Sequence, residues 1–497
     1  MQLKEDFLNL RNPKIGKDRI KKMLARDEAH MEEYLSDWIA FSKDAKHVYP
    51  SQGLLTTPHD YLTFHSLQML PQEKIVQTLR VRAFFLSMFN HPYRIKFLKK
   101  VNKGKFVPPP KIRGDAVELM IKEGLAFSIG DLGARVIGHA APRKSRTERY
   151  AEGPFVKLGR QARSLFVGSS SPDVWNSAAA IATMAASHCM TSIPRNGLTS
   201  DIKRQVDLAK EVFFWLEKME KLFLKNRNDR RFVANLWRRN VCATLPADPE
   251  KALERADPLV QAGVECFRVY SPEPGEGTVK TVSALRKKYN NDIEIFTGQI
   301  VSVEQAQEAQ SAGADGLYVG IGGGGRCITG IRSGSLVDWP ELVWQMRGKV
   351  TIPIVAEGGA SDHIATTLLL GASGISVSRV ASGGTIESPG GALYCADEAG
   401  RLYKPYGGEA SARTKYLDGK LMPFGIPAFV EGETTKAQMN YIKFTHPTLT
   451  YNLHLLQEDA ILALVFRNAL DIQELHQTNP SPLGRITNEG NFQQNTH

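Results

Sequence analysis

Eight short β-rich runs recur between residues 164 and 378. They are SLFVG (164–168), CMTSI (189–193), NVCATL (240–245), ECFRVY (265–270), IEIFTG (293–298), GLYVGI (316–321), IPIVA (352–356) and GISVS (374–378). Helical stretches at 250–262, 278–289, 303–312 and 363–370 separate several of them. Most runs begin about 22–36 residues after the one before, the length of a strand–helix unit. Eight such units predict an α/β fold, a (β/α)8 TIM barrel. A doubly wound open sheet is the competing arrangement for this pattern.

One interval is longer. Between Ile193 and Asn240 runs the charged segment DIKRQVDLAKEVFFWLEKMEKLFLKNRNDRRF, which reads as one extended amphipathic helix. The stretch before the barrel is also mostly helical. KDRIKKMLARDEAHMEEYLSDWIAF has helical apolar spacing, and PQEKIVQTLRVRAFFLSMF starts on Pro71. Three consecutive prolines in GKFVPPPKIRG (104–114) cannot continue a helix. The chain therefore divides into a helical N-terminal region, 1–110, and a barrel, 115–497.

The net charge is +11, and residues 1–110 carry 19 Lys and Arg against 11 Asp and Glu. A basic excess is compatible with a polyanion partner. No zinc-finger, RNP-like or helix-turn-helix signal accompanies it, so a solvated helical surface is the expectation, with nucleic acid the weaker alternative. No apolar run reaches the roughly 18–20 residues of a membrane span. The first residues, MQLKEDFLNLRNPK, hold no apolar signal core. A soluble cytoplasmic protein is expected. The five cysteines, Cys189, Cys242, Cys266, Cys327 and Cys395, are widely spaced with no CxxC pair. That argues against a disulfide framework or a zinc site, and Cys189, Cys242 and Cys266 read as small buried hydrophobes.

Cys327 differs. From Gly320 to Gly330 the chain reads GIGGGGRCITG, with six glycines in eleven residues. The segment follows the sixth run, at the end of a barrel where active sites lie. Glycine lets a backbone approach a ligand closely. A cysteine there, beside Arg326 and N–H dipoles, favours the thiolate and is a competent nucleophile. The alternative is a flexible glycine loop with an incidental cysteine.

The loop resembles the catalytic loop of the IMP dehydrogenase/GMP reductase family, roughly Gly-Ile-Gly-x-Gly-Ser-x-Cys-[Thr/Ile]-Thr. Gly320, Ile321, Gly322, Gly324, Cys327 and Thr329 fall in register. GSSSPDVWNSAAAIATMAASHCMTSIPRN, IVAEGGA and ESPGG follow the family's order, and the likeness spans roughly 125–490. It implies that Cys327 attacks C2 of a purine nucleotide, IMP or GMP, while hydride moves between C2 and NAD or NADP. Thr329 and Glu431 would handle the proton of the water or ammonia that completes the reaction, with Lys415 and Tyr416 in the flap. Substrate contacts fall to Ser170, Glu357, Gly359, Ser378, Arg379, Tyr406, Gly408 and Glu409. Cofactor contacts fall to Tyr270, Ser271, Gln299, Gly320 and Gly322. The carbonyls of Gly322, Gly324 and Cys327 would hold K+, and the assembly would be a homo-tetramer.

Four positions depart from the family pattern. Tyr270 stands where an aspartate helps hold the nicotinamide ribose. Ser378-Arg379 replaces a Gly-Ser phosphate pair. YGGEAS puts Glu409 where a methionine lies near the base. Lys415-Tyr416 replaces Arg-Tyr, a change toward the reductase branch, whereas ESPGG and the C-terminal tail are dehydrogenase-like. The regulatory CBS pair is absent. An oxidoreductase nearer IMP dehydrogenase than GMP reductase is expected, against a catalytically impaired nucleotide-binding regulator or scaffold.

Overall fold

The computed structural model describes residues 35, 37–40, 66–115, 117–118, 127–129, 144–271, 276–320, 334, 336–409, 411, 414, 421–422, 426–427, 438–442, 447–486 and 488–494. Seven of the eight runs form parallel strands: Phe166–Gly168, Cys242–Pro246, Cys266–Tyr270, Glu294–Gly298, Gly316–Val319, Ile354–Ala356 and Gly374–Val377. From Cys242 onward they pair in chain order, and the last returns to the first, with Ile375 opposite Phe166 and Val377 opposite Gly168. The eighth run, 189–193, makes one parallel bridge on each side, Met190 with Val167 and Ile193 with Ala243. Gly168 N–H donates to the Met190 carbonyl (2.9 Å) and Ile193 N–H to the Cys242 carbonyl (2.8 Å). The ring of eight is thus closed, which is the (β/α)8 barrel and not the open sheet.

Local chemistry starts the outer helices. Asp248 accepts from Lys251 N–H ahead of Pro249–Gln261, and Ser302 accepts from Gln305 N–H ahead of Val303–Ser311. Cys189, Cys242, Cys266 and Cys395 are buried and outside any disulfide, in line with the sequence reading of the first three. The 193–240 segment is not one helix but two, Ile202–Phe223 and Arg230–Arg239. Asn226 breaks it by taking a left-handed conformation (φ 61°). Asparagine tolerates that conformation, and the surrounding Asn and Asp favour turns over helix. Helical periodicity continues through the break, so the pattern alone did not mark it.

On the N-terminal side, helix Gln72–Phe89 forms where expected, with Pro71 at its cap, and a further helix, Pro92–Lys103, follows it. Phe85, Leu86, Phe89, Ile95 and Leu98 join the same continuous apolar core as the barrel strands. The proline stretch 104–114 has no regular structure. It is tied down through its carbonyls: Pro109 accepts from Gly348 N–H (3.0 Å) and Pro110 from Arg347 Nε (2.9 Å). Of the 17–41 stretch only 35 and 37–40 are described, and they are helical. Among the described residues no helix is long and apolar enough to cross a membrane.

The N-terminal end of the barrel is plugged by a charge pair. Arg163, on the hairpin strand Gln161–Ser164, meets Glu294 at the start of Glu294–Gly298 at 2.6 and 2.8 Å, both side chains buried. The remaining guanidinium hydrogens go to Asn240 Oδ1 and to the carbonyls of Leu158 and Arg239. Burial alone would lower the arginine and raise the carboxyl. Their attraction wins in both, so Glu294 is held below the usual carboxylate range and Arg163 above its own.

Candidate functional site

At the opposite, C-terminal end, several strands deliver polar side chains to one mouth. Side chains alternate along Cys266–Tyr270, so Arg268 and Tyr270 share a face. The Arg268 guanidinium carbon lies 3.9 Å from the Tyr318 ring centroid and 4.4 Å from that of Tyr270. Its Nη2 donates to Glu357 Oε2 at 2.6 Å. Gln299 Nε2 donates to the same oxygen (2.6 Å), and Ser376 Oγ donates to Glu357 Oε1 (2.8 Å). Glu357 follows directly on strand Ile354–Ala356, and its own N–H is anchored on the Val319 carbonyl (2.8 Å).

A second carboxylate closes the other side. Glu409 follows the strand Leu402–Tyr406 and accepts from Ser170 Oγ (2.6 Å) and Asn196 Nδ2. Arg195 pairs with it at 3.2 Å and also reaches the Tyr270 carbonyl at 3.4 Å, which links the two carboxylate clusters. Ser171 Oγ donates to the Gly407 carbonyl (3.0 Å), laying the strand end across the first barrel loop. Between them, Ser378 Oγ and the Tyr406 hydroxyl are 3.1 Å apart. Arg379 opens the short helix Arg379–Ser382 beside them.

Burial raises the Tyr270 phenol above its ordinary pKa, and Glu409 and Glu357 raise it further, so it stays neutral and hydrogen-bearing. Arg268 is held above its ordinary value: burial opposes this, but Glu357 outweighs it. Several buried polar atoms of this mouth have no protein partner among the described residues: Arg268 Nε and Nη1, Gln299 Oε1, Thr297 Oγ1 and the Tyr318 hydroxyl. Buried polar atoms are paired in folded proteins, so this set calls for water or a polar ligand.

Glycine is needed at two points. Gly320 has φ 130°, and a Cβ there would fall 2.5 Å from the Glu357 carbonyl oxygen, so the backbone just after strand Gly316–Val319 lies against Glu357. Gly358 and Gly359 both take positive φ, 69° and 85°. Of the expected site residues, the fold brings Ser170, Tyr270, Ser271, Gln299, Gly320, Glu357, Gly359, Ser378, Arg379, Tyr406, Gly408 and Glu409 to this end of the barrel. Cys327, Thr329, Lys415, Tyr416, Glu431, Gly322 and Gly324 lie outside the described residues. Among the described residues no group of three or more His, Cys, Asp or Glu could hold a metal ion.

Arg268 and Ser376 are absent from the sequence-based site, although they hold Glu357. The signal was a charge inside ECFRVY, a run otherwise suited to burial. Its partner lies 89 residues away, which no local pattern reveals.

Comparison with known proteins assigns the class. A model of the IMP dehydrogenase / GMP reductase domain matches residues 161–441. The chain belongs to the IMP dehydrogenase/GMP reductase family. It is 31% identical over 196 residues to an inosine-5'-monophosphate dehydrogenase of Cryptosporidium parvum, covering 36% of this chain and 48% of that one. It is 34% identical over 194 residues to one of Helicobacter pylori, covering 35% and 39%. A third, from Escherichia coli, is 34% identical over 166 residues, covering 32% and 33%. The matched stretch thus spans less than half the length of each of these relatives.

Proposed function

We propose that this protein is a purine-nucleotide oxidoreductase of the IMP dehydrogenase type, converting IMP to XMP with NAD. The observation that supports this most is the meeting of Glu357 with the start of the Gly320–Gly330 loop at one end of the barrel. Glu357 has both carboxylate oxygens held by donors, so it presents a fixed acceptor for ribose hydroxyls. Ser378, Arg379 and Tyr406 form the phosphate end, where a guanidinium and two hydroxyls suit a phosphate dianion.

The Cys327 thiolate adds to C2 of the purine, and the C2 hydride leaves, so that a thioimidate remains on sulfur. Nicotinamide, when bound, supplies the hydride acceptor. The unpartnered Gln299 Oε1 and Arg268 Nε and Nη1 are polar atoms that fit such a group. Water then adds to C2 and expels the thiol, with Thr329 and Glu431 relaying the proton. A potassium ion on the carbonyls of Gly322, Gly324 and Cys327 would order that loop, and the assembly would be a tetramer of barrels.

A second reading draws on one observation: Tyr270 and Tyr318 already stack on Arg268, and Arg195 already pairs with Glu409. A site satisfied by its own side chains is what a nucleotide-binding regulator without turnover would carry. Absorbance at the reduced-nicotinamide band separates the cases. IMP with NAD should give a gain, GMP with NADPH a loss only if the activity is reductase-like, and no change in either favours the regulator. Cys327→Ala should abolish turnover; normal turnover in that variant removes the mechanism.

A further inference from the structure

Residues 66–82 lie outside the matched domain, yet they meet one loop of the site. Strand Ser66–Met69 pairs antiparallel with Leu393–Ala396, Leu67 opposite Cys395. That adds an edge to a sheet ordered Ser66–Met69, Leu393–Ala396, Leu402–Tyr406, Gln438–Tyr441. The third of these strands is the one that delivers Tyr406 and Glu409. A second apolar cluster, distinct from the barrel core, packs Trp38, Leu70, Ile75 and Leu79 against Ile386, Ala392 and Tyr394.

Inside this contact sits a buried charge pair. Arg82, on helix Gln72–Phe89, meets Glu387 at 3.4 Å, with both side chains fully buried. Arg82 Nη2 also donates to Thr183 Oγ1 (2.8 Å), and its guanidinium lies 5.4 Å from the Trp38 ring centroid. Glu387 in turn accepts from Thr448 Oγ1 and from Leu449 N–H (3.0 Å). The loop is held from within as well. Lys404 Nζ donates to the carbonyls of Thr385 (2.8 Å), Ser388 (3.1 Å) and Gly391 (2.7 Å). Lys404 belongs to the Tyr406 strand, so these three hydrogen bonds tie the loop to that strand.

An apolar contact would cover a helix at least as stably as a buried ion pair, because the pair must first be stripped of water. What a charge pair adds is a fixed register, since a small slip leaves both charges unpartnered. We propose that the 66–82 segment is a positioning element of the nucleotide site, with Arg82 acting through Glu387 and the 383–391 loop to set Tyr406 and Glu409. This rests on the reading that Tyr406 and Glu409 face the nucleotide.

The test uses the full chain carrying Arg82→Met, Glu387→Gln and both together. Hydrogen exchange followed by mass spectrometry reads the loop, and calorimetry with IMP and with GMP reads nucleotide binding. Each single variant should speed exchange across 383–406, leave the strands from 242 to 298 protected, and weaken nucleotide binding about tenfold, within the usual range of coupling between contacting groups. The double variant should be no weaker than the worse single one. In turnover assays KM for the nucleotide should rise and KM for the dinucleotide stay. Unchanged exchange at 383–406, or faster exchange with unchanged nucleotide affinity, overturns the proposal. If Arg82→Met unfolds the whole chain, Glu387→Gln carries the same decision. A wild-type chain that binds neither nucleotide defeats the functional reading and, with it, the nucleotide part of this one; the exchange results then decide separately whether Arg82 holds the loop.

Discussion

The barrel carries a buried arginine–glutamate pair at each end, and the two are built differently. At the N-terminal end, Arg163 spends every guanidinium group on protein: both oxygens of Glu294, Asn240 Oδ1 and two carbonyls. At the C-terminal end, Arg268 gives one nitrogen to Glu357 and leaves Nε and Nη1 without a partner among the described residues. The Glu294 side chain is 4% exposed and that of Glu357 13%. The same two residue types therefore serve as a closed plug in one place and an incompletely paired set of buried donors in the other. For these two arginines, full pairing goes with a structural plug and partial pairing with donors left for water or a polar ligand.

The largest expected effect lies at the closed end. Arg163→Met leaves Glu294 buried without its charge partner, holding only the Arg160 N–H (2.6 Å), and takes a donor from the carbonyls of Leu158 and Arg239, while Asn240 keeps Gln161. Breaking one partner of such a pair costs about 3–5 kcal/mol. Urea unfolding should show the loss as a lower midpoint with an unchanged slope. A variant as stable as wild type would mean that water reaches Glu294 and that the plug is not closed.

Arg268→Met should come next and should move a different quantity. Glu357 keeps Gln299 and Ser376, so stability should fall less than in Arg163→Met. Nucleotide affinity should drop about tenfold, because the carboxylate loses its charged anchor and with it a fixed orientation. Calorimetry with IMP reads this directly. Equal losses of stability in the two variants, with nucleotide affinity intact in Arg268→Met, would erase the distinction between the two ends.

The comparison also shows what could be read from the chain. The barrel was legible because its strands are short β-rich runs, most of them at regular spacing. Closure does not follow from that spacing, which an open sheet shares; it is fixed by the bridges on both sides of 189–193 and by the return of the last strand to the first. The expected residues Glu357, Tyr406 and Glu409 were legible through family resemblance, each lying next to a recognisable motif. Their partners were not. Arg163, Arg268 and Glu294 each sit in or beside an apolar run, and a lone charge in a strand is ordinarily read as facing water. Only the closed ring brings Glu294 to Arg163 across 131 positions and Glu357 to Arg268 across 89. Arg82 was hidden for the same reason, since its partner Glu387 lies in a loop of the barrel. The break at Asn226 escaped because apolar periodicity resumes in Arg230–Arg239 on the far side.

The smallest effect at neutral pH, and the most pointed one in acid, concerns His188. It precedes the second barrel run at the plugged end, is 1% exposed, and neither ring nitrogen has a partner among the described residues. Burial first, then the positive charges of Arg94 and Arg227, push its pKa from 6.5 down to about 3. The folded protein therefore keeps it neutral while the unfolded chain takes up a proton. The stability due to that neutrality is full above pH 6.5 and is lost as pH falls from there toward about 3. His476, at the same end on the Ala372 carbonyl (2.9 Å), behaves alike, lowered by burial and then by Arg347 to about 3. His188→Asn is suited to the test because residue 188 has φ 63°, which asparagine tolerates better than most side chains. Wild type and variant should melt together at pH 7 and separate as the pH drops toward 4, the variant melting higher. His476 still titrates in the variant, so its melting temperature should decline as well, only less steeply. Parallel decline of the two curves would mean that His188 is not where the proton goes, and that acid enters the barrel through some group other than this buried imidazole.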